Sequence, residues 1–292
     1  MGSVLILGAR SWIGFILTEA ILAQQDGTTV MGTTSSLNLK SKPDGQPDFL
    51  NASAPADFKK IFRQKKYSCV INLLRGEDVQ DLEVHQQIAA ECFKAGSRYI
   101  FTSSALALDG YEFNRVLTED LPAKSITPYG QFKGTCENYL KTEHANENWL
   151  ALRFSSIQGW SPWKPSRNEA FLTKLQQGQI VKVSRGIKQN RLYDKIFAQA
   201  VVHLMNTPSA QGIYHLGTDD QSEEIDFLKA VARAFGYAES SVHEDIERKV
   251  NLSLSCERLH QATANRWRQN EHQTIQALIN EPHLNLLRKK SL

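Results

Sequence analysis

The chain has 292 residues, 41% of them hydrophobic and 22% charged, enough to bury a core as one large α/β domain or as a domain with a smaller lobe. A formal net charge of +3, with no arginine-aromatic alternation, argues against a nucleic-acid partner, and no stretch approaches the roughly 18 consecutive apolar residues of a membrane span. Cys69, Cys92, Cys136 and Cys256 are scattered without metal spacing and read as reduced thiols of a cytoplasmic protein; the apolar run Val4 to Leu7 is too short for a signal peptide.

Ser3 to Leu7 is a short apolar strand, followed at once by Gly8-Ala9-Arg10-Ser11-Trp12-Ile13-Gly14 and an apolar helix through about Gln25. Strand, glycine turn and helix in that order suit a pyrophosphate, because backbone N–H groups at a helix start can meet an anion. Gly8 permits the tight turn and Gly14 close packing of helix on strand, while Ser11 replaces the middle glycine with a small hydroxyl. Gly8, Arg10, Ser11, Trp12, Ile13 and Gly14 are therefore candidate cofactor-binding residues. A second strand, Thr28 to Met31, leads into Gly32-Thr33-Thr34-Ser35-Ser36. A free ribose 2′-hydroxyl is usually held by Asp or Glu at this strand end, and none is present. Thr33, Thr34 and Ser35, with Arg10, offer hydroxyls and a cation instead, which favours NADP(H), with NAD(H) as the alternative.

Lys40 to Pro47 reads as a polar connection, Pro55 to Lys65 as a helix and Ser68 to Leu74 as an apolar strand ending in Asn72-Leu73-Leu74. An amphipathic helix, about Val79 to Ala95, and a strand, Arg98 to Thr102, follow, and then Ser103-Ser104. Such alternation predicts a parallel sheet wrapped on both faces, with its ligand crevice at the carboxyl ends of the strands, where Gly8, Thr33, Leu73 and Ser104 fall. Tyr129-Gly130-Gln131-Phe132-Lys133 then opens a helix. Tyrosine and lysine four apart share a helix face, so the ammonium can sit close to the phenol and favour its ionised form. Tyr129 is thereby a candidate acid or base, and Ser104 a candidate to hold the same carbonyl oxygen. This is the proton half of a carbonyl reduction or alcohol oxidation; the hydride half needs a nicotinamide.

Together these motifs resemble the extended short-chain dehydrogenase/reductase family, also called the NAD-dependent epimerase/dehydratase family. Leu152-Arg153-Phe154 through Gly159 and Gly212-Ile213-Tyr214-His215-Leu216-Gly217 are similar to later strands of that family. The spacing from Ser104 to Asp109-Gly110 is nearest to the dTDP-4-dehydrorhamnose reductase branch, and the likeness covers roughly residues 2 to 235. It implies an α/β fold: a Rossmann-type doubly wound parallel sheet with a smaller C-terminal substrate-binding lobe. It also implies that Tyr129 is the acid/base, that Lys133 orients the nicotinamide ribose and lowers the tyrosine pKa, and that Ser104 positions the carbonyl. Leu73 and Leu74 stand where relatives often have alanines beside the cofactor, and His85 where a helix asparagine is common. Ala105-Leu106 replace the acid pair of the dehydratases, which disfavours elimination of water.

Residues 1–155 are expected to form the dinucleotide-binding domain, and 156–292 mostly the substrate-binding lobe with some segments returning to the main sheet. Gln158 to Arg167 carries Trp160 and Trp163, whose faces suit a base or a sugar, or pack as a hinge. A helix, about Asn168 to Gln177, and a strand, Gln179 to Val183, precede Arg191. By resemblance Arg191 is the candidate for substrate phosphates, with pairing to Asp194 as the structural alternative. Ser222 to Phe235 reads as a helix capped by Ser222, and Val242 to Leu292 as polar and helical in composition. The expected activity is reduction of a keto group of a sugar nucleotide or a related polar carbonyl compound. An epimerase, and an NADP-binding regulatory subunit without turnover, are the alternatives. The expected partner is a small-molecule substrate, and assembly as a homodimer stays open.

Overall fold

The structure, a computed structural model, describes residues 2–24, 27–34, 48–52, 55–162 and 164–289. Its elements in chain order are β1 (Ser3–Leu7), α1 (Trp12–Leu22), β2 (Thr29–Thr34), β3 (Asp48–Asn51), α2 (Pro55–Gln64), β4 (Cys69–Asn72), α3 (Val79–Lys94), β5 (Arg98–Thr102), α4 (Pro128–Glu143) and β6 (Trp149–Phe154). They continue with β7 (Ser156–Gln158), α5 (Arg167–Gln176), β8 (Val181–Gln189), β9 (Arg191–Tyr193), α6 (Asp194–Met205), β10 (Gly212–Leu216), β11 (Ser222–Glu223), α7 (Glu224–Ala234), β12 (Val242–Leu252), α8 (Glu257–Ala262), α9 (Glu271–Asn280) and α10 (Pro282–Asn285). Two compact units result. One gathers 1–107, 122–153 and 198–214; the other gathers 108–121, 154–197 and 215–292.

In the first unit the main sheet has the strand order β10-β6-β5-β4-β1-β2-β3. The pairs β3/β2, β2/β1, β1/β4, β4/β5 and β5/β6 are all parallel. This is a Rossmann-type doubly wound sheet, and its order reverses between β1 and β4, the switch point at whose strand ends ligands bind in such sheets. Strands covered on both faces need apolar side chains on both, and Val4 to Leu7, Cys69 to Ile71 and Tyr99 to Phe101 are all buried. The register pairs Leu7 with Asn72 and Asn72 with Phe101, so the carboxyl ends of β1, β4 and β5 finish level. Asp48–Asn51 forms an additional edge strand that the sequence pattern did not reveal, and the polar connection 40–47 lies outside the described residues.

The second unit packs α5, α7, α9 and α10 around a core that includes Phe171, Leu172, Phe227, Val231, Phe235 and Leu278. A small sheet of order β11-β8-β12 lies in it, with β12 parallel to β8 and the register broken twice between Glu244 and Val250. Two expectations are corrected here. Val242–Leu252, read as helical, is a strand: it is held by its backbone ladder to β8, and its middle is solvent-exposed, so no apolar alternation marks it. Ser222 is not a helix cap but part of β11, and α7 begins after Glu223.

Gly14 carries the contact of α1 with the preceding turn: a Cβ there would lie 2.4 Å from the Ala9 carbonyl oxygen. Gly14→Ala is expected to force α1 outward and to destabilise by about 1–3 kcal/mol, as overpacking does; the midpoint of urea unfolding checks it.

Candidate active site

The glycine turn leaves β1 with Gly8 in the left-handed region, φ +77°. Gly8 N donates to Thr33 Oγ1 at 3.2 Å and Ala9 N to the Thr33 carbonyl at 3.1 Å, which ties the turn to the end of β2. Ser11 is the N-cap of α1, its hydroxyl accepting from Gly14 N at 3.0 Å. The side chain that replaces the middle glycine is thus folded onto the helix start. A Cβ on Gly8 would touch Leu74 at 3.5 Å and Leu73 at 3.7 Å, so β1 and β4 end side by side, with two leucines against the turn. Arg10, Trp12 and Ile13 are half-buried, and Trp12 begins α1.

The second group of candidates sits on α4. Thr127 caps this helix through Gly130 N, with Pro128 in its first turn. Lys133 is 2% exposed, and its ammonium donates to the Thr102 carbonyl at 2.8 Å and to the Leu74 carbonyl at 3.4 Å. It therefore reaches the ends of β5 and β4 at once, next to the leucines of the glycine turn. A Cβ on Gly130 would lie 2.1 Å from the Leu106 carbonyl oxygen, so the first turn of α4 lies against the turn that follows Ser104. The Ser104 hydroxyl accepts from Leu106 N at 3.2 Å. Sequence-distant Ser104, Tyr129 and Lys133 are in this way carried by adjoining segments of one unit.

Several expectations change in detail. The Lys133 ammonium is 5.5 Å from the centroid of the Tyr129 ring, and the phenol pKa is raised, not lowered. Burial raises it, Arg75, over the ring at 5.3 Å, lowers it, and Glu77 raises it. Tyr129 is accordingly a protonated phenol at neutral pH. Thr33 and Thr34 are buried, and the Thr33 hydroxyl accepts from Gly8 N, which ties it to the glycine turn. Ser35 and Trp163 lie outside the described residues. Trp160 has its ring stacked on His283 at 3.8 Å, which covers one of the faces proposed for a base. Arg191 is wholly buried and ion-paired with Glu224 at 3.1 Å and Glu271 at 2.5 Å, joining the first turns of α7 and α9; it is a brace of the second unit and not a receptor for substrate phosphates.

Beneath Lys133 lies a buried network that sequence reasoning missed. Glu137 accepts from Arg153 Nε at 2.8 Å and Nη2 at 2.6 Å, and the Ser103 hydroxyl donates to the same carboxylate. Positions 129, 133 and 137 share one helix face, and a carboxylate there was the available signal. Asn72 Nδ2 donates to Tyr99 Oη at 2.8 Å and contacts His85 Nδ1 at 3.2 Å, while Asn72 Oδ1 accepts from Leu74 N at 3.0 Å. His85 is packed edge-on against Phe101 and Phe132, and burial together with Lys133 pushes its pKa down to about 3, so it is a neutral core residue.

Glycine turn, parallel sheet and Tyr-x-x-x-Lys helix together define an extended short-chain dehydrogenase/reductase. The chain belongs to the RmlD substrate binding domain family, which matches residues 2–280. Among solved structures it is similar to dTDP-glucose 4,6-dehydratase from Bacillus anthracis in complex with NAD (TM-score 0.79, 12% identity, 98% of this chain and 100% of that one). It is also similar to UDP-N-acetylglucosamine 4-epimerase from Bacillus cereus (0.77, 15%, 100% and 99%) and to a dTDP-4-dehydrorhamnose reductase from Clostridium acetobutylicum (0.75, 16%, 95% and 98%). At these identities the likeness is one of fold. No curated protein matches the chain.

Two predictions follow from the α4 anchors. Glu137→Ala removes the carboxylate that pairs with the buried Arg153 guanidinium and is expected to destabilise by about 3–5 kcal/mol in urea unfolding. Burial pushes the Lys133 pKa down to about 8, below its unfolded value, so the buried cation disfavours folding at low pH. That penalty is relieved as pH rises from about 8 towards the ordinary lysine range, so the unfolding free energy of the wild type is expected to rise relative to Lys133→Met over this window.

Proposed function

We propose that the chain is an NADP(H)-dependent oxidoreductase that reduces a keto group of a sugar nucleotide or a related polar carbonyl compound. The observation that carries this reading is the anchoring of Lys133 to the Leu74 and Thr102 carbonyls, beside the glycine turn and under a protonated Tyr129. The turn of Gly8 to Gly14, the leucines 73 and 74, and Lys133 are the residues to hold the dinucleotide. Gly8 in its left-handed conformation and the Ser11 side chain folded onto α1 fit a cofactor-binding turn. A bound nicotinamide supplies the hydride.

Tyr129 holds the proton for the developing alkoxide, and its raised pKa suits donation rather than abstraction. The Ser104 hydroxyl orients the carbonyl oxygen, and Lys133 places a positive charge close to the oxygen as it gains charge. Preference for NADP(H) is supported by the lack of an acid from Met31 to Leu39 and by Arg10 in the glycine turn. The second unit, with Trp160, is the proposed substrate-binding lobe.

Tyr129→Phe is expected to lower turnover about 10²–10⁴-fold, followed as loss of NADPH absorbance with keto-sugar nucleotides, while the NADPH-induced shift in melting temperature stays within a degree or so of wild type. Unchanged turnover removes the phenol from the mechanism. Turnover without net NADPH consumption identifies an epimerase, and NADPH binding with no turnover on any such substrate identifies a regulatory subunit.

A further inference from the structure

Arg75 follows β4 in a loop built against the start of α3 and against Phe132 of α4. Gly76 is buried, and a Cβ on it would lie 2.4 Å from Phe132 Cζ and 2.8 Å from Asp81 Cβ, so a glycine is what lets the loop come this close. Asp81 accepts from Glu77 N at 2.9 Å, and Asp78, the N-cap of α3, accepts from Asp81 N at 2.8 Å. The backbone that carries Arg75 is thereby tied to two helices.

The side chain reaches the Tyr129 ring. Its guanidinium carbon lies 5.3 Å from the ring centre, within the range of a cation–π contact, and Glu77 Oε1 accepts from its Nε at 2.8 Å and also from its Nη2. An exposed ion pair of this kind adds little to stability, so the fold does not depend on it. Lys133 is the other cation near the ring, at 5.5 Å, but its ammonium is committed to the Thr102 and Leu74 carbonyls, and burial pushes its pKa down to about 8. Lysine has therefore largely lost its charge at the pH where a phenol titrates, whereas a guanidinium keeps its own. Among the described residues the charged groups acting on the phenol are Arg75, which favours its ionised form, and Glu77, which opposes it, both from this loop, with Lys133 from α4.

We propose that Arg75 is a positioning residue for Tyr129: steadied by Glu77, its planar guanidinium holds the ring in place and supplies the lasting positive charge that the phenol oxygen meets as it gives up its proton. The inference rests on the reading of Tyr129 as the proton donor. In that step the phenol O–H bond breaks and the alkoxide oxygen left by hydride addition takes the proton. The electron pair stays on Tyr129 as a phenolate, the form that a nearby cation favours.

The test replaces the tyrosines of the full chain by 3-fluorotyrosine, whose more acidic phenol titrates at a milder pH, and follows the Tyr129 fluorine resonance, assigned by its loss in Tyr129→Phe. Arg75→Met removes a positive charge from an exposed side chain and is expected to raise the Tyr129 pKa by about half a pH unit or more, the effect of one charge at this distance in a high dielectric. Arg75→Lys is expected to recover at least half of that rise. In NADPH turnover of the unlabelled chain with keto-sugar nucleotides, the basic limb of kcat is expected to move to higher pH by a similar amount in Arg75→Met, with KM within about twofold of wild type. An unmoved Tyr129 titration, an equal rise in Arg75→Lys, or a basic limb that does not follow the titration overturns the proposal. A chain that binds NADPH and turns over no such substrate overturns the proposed function instead; the fluorine titration needs no substrate and still decides whether Arg75 acts on Tyr129.

Discussion

The first unit depends on one buried ammonium. Lys133 carries its charge to the carboxyl edge of the sheet, where it is hydrogen-bonded to the Thr102 carbonyl at the end of β5 and to the Leu74 carbonyl just beyond β4, and lies 4.5 Å from the centre of the Phe101 ring. An isolated charge in such a place is costly, and the lowered pKa of Lys133 expresses that cost. The carbonyls and the ring face offset part of it. In return, α4 is fixed in both rotation and height against two strand ends, which sets where Tyr129 stands. A second charge system, Arg153 with Glu137 and Ser103, fixes the next turn of the same helix.

The positions of these groups follow from topology. Parallel pairing aligns the carboxyl ends of β1, β4 and β5, and every segment proposed to meet the cofactor leaves the sheet at that edge. Glycines are used where segments must approach closely: Gly14 admits α1 to the turn, and Gly130 admits α4 to the turn after Ser104. Segments far apart in sequence, such as Leu7 and Asn72, are brought together by backbone pairing, and the side chains are carried along.

Much of the first unit was legible. Ser3–Leu7 and Arg98–Thr102 are runs whose apolar character is unbroken because both sheet faces are covered, and their bounds are those expected from the pattern. The glycine turn and the Tyr-x-x-x-Lys spacing were legible because local geometry restricts residue type there. The rest was hidden where partners, not periodicity, decide. Val242–Leu252 is a strand made by its neighbour β8, with charged residues exposed along its middle. Arg191 is a charge in the sequence that becomes a buried brace only when two helix starts bring Glu224 and Glu271 to it. The direction of the Tyr129 shift likewise depends on burial and on Arg75, which the four-residue spacing does not encode.

The outermost position of β12 in its small sheet has a consequence for behaviour in a crowded solution. An edge strand offers unsatisfied amide and carbonyl groups to any extended segment that drifts past. Here the exposed run from His243 to Lys249 is mostly ionised side chains, and the register slips at Glu244 and Glu247 break the even spacing that an incoming strand would have to match. Self-templated stacking through this rim is thereby discouraged, which accounts for a long polar strand whose middle contributes little to the core.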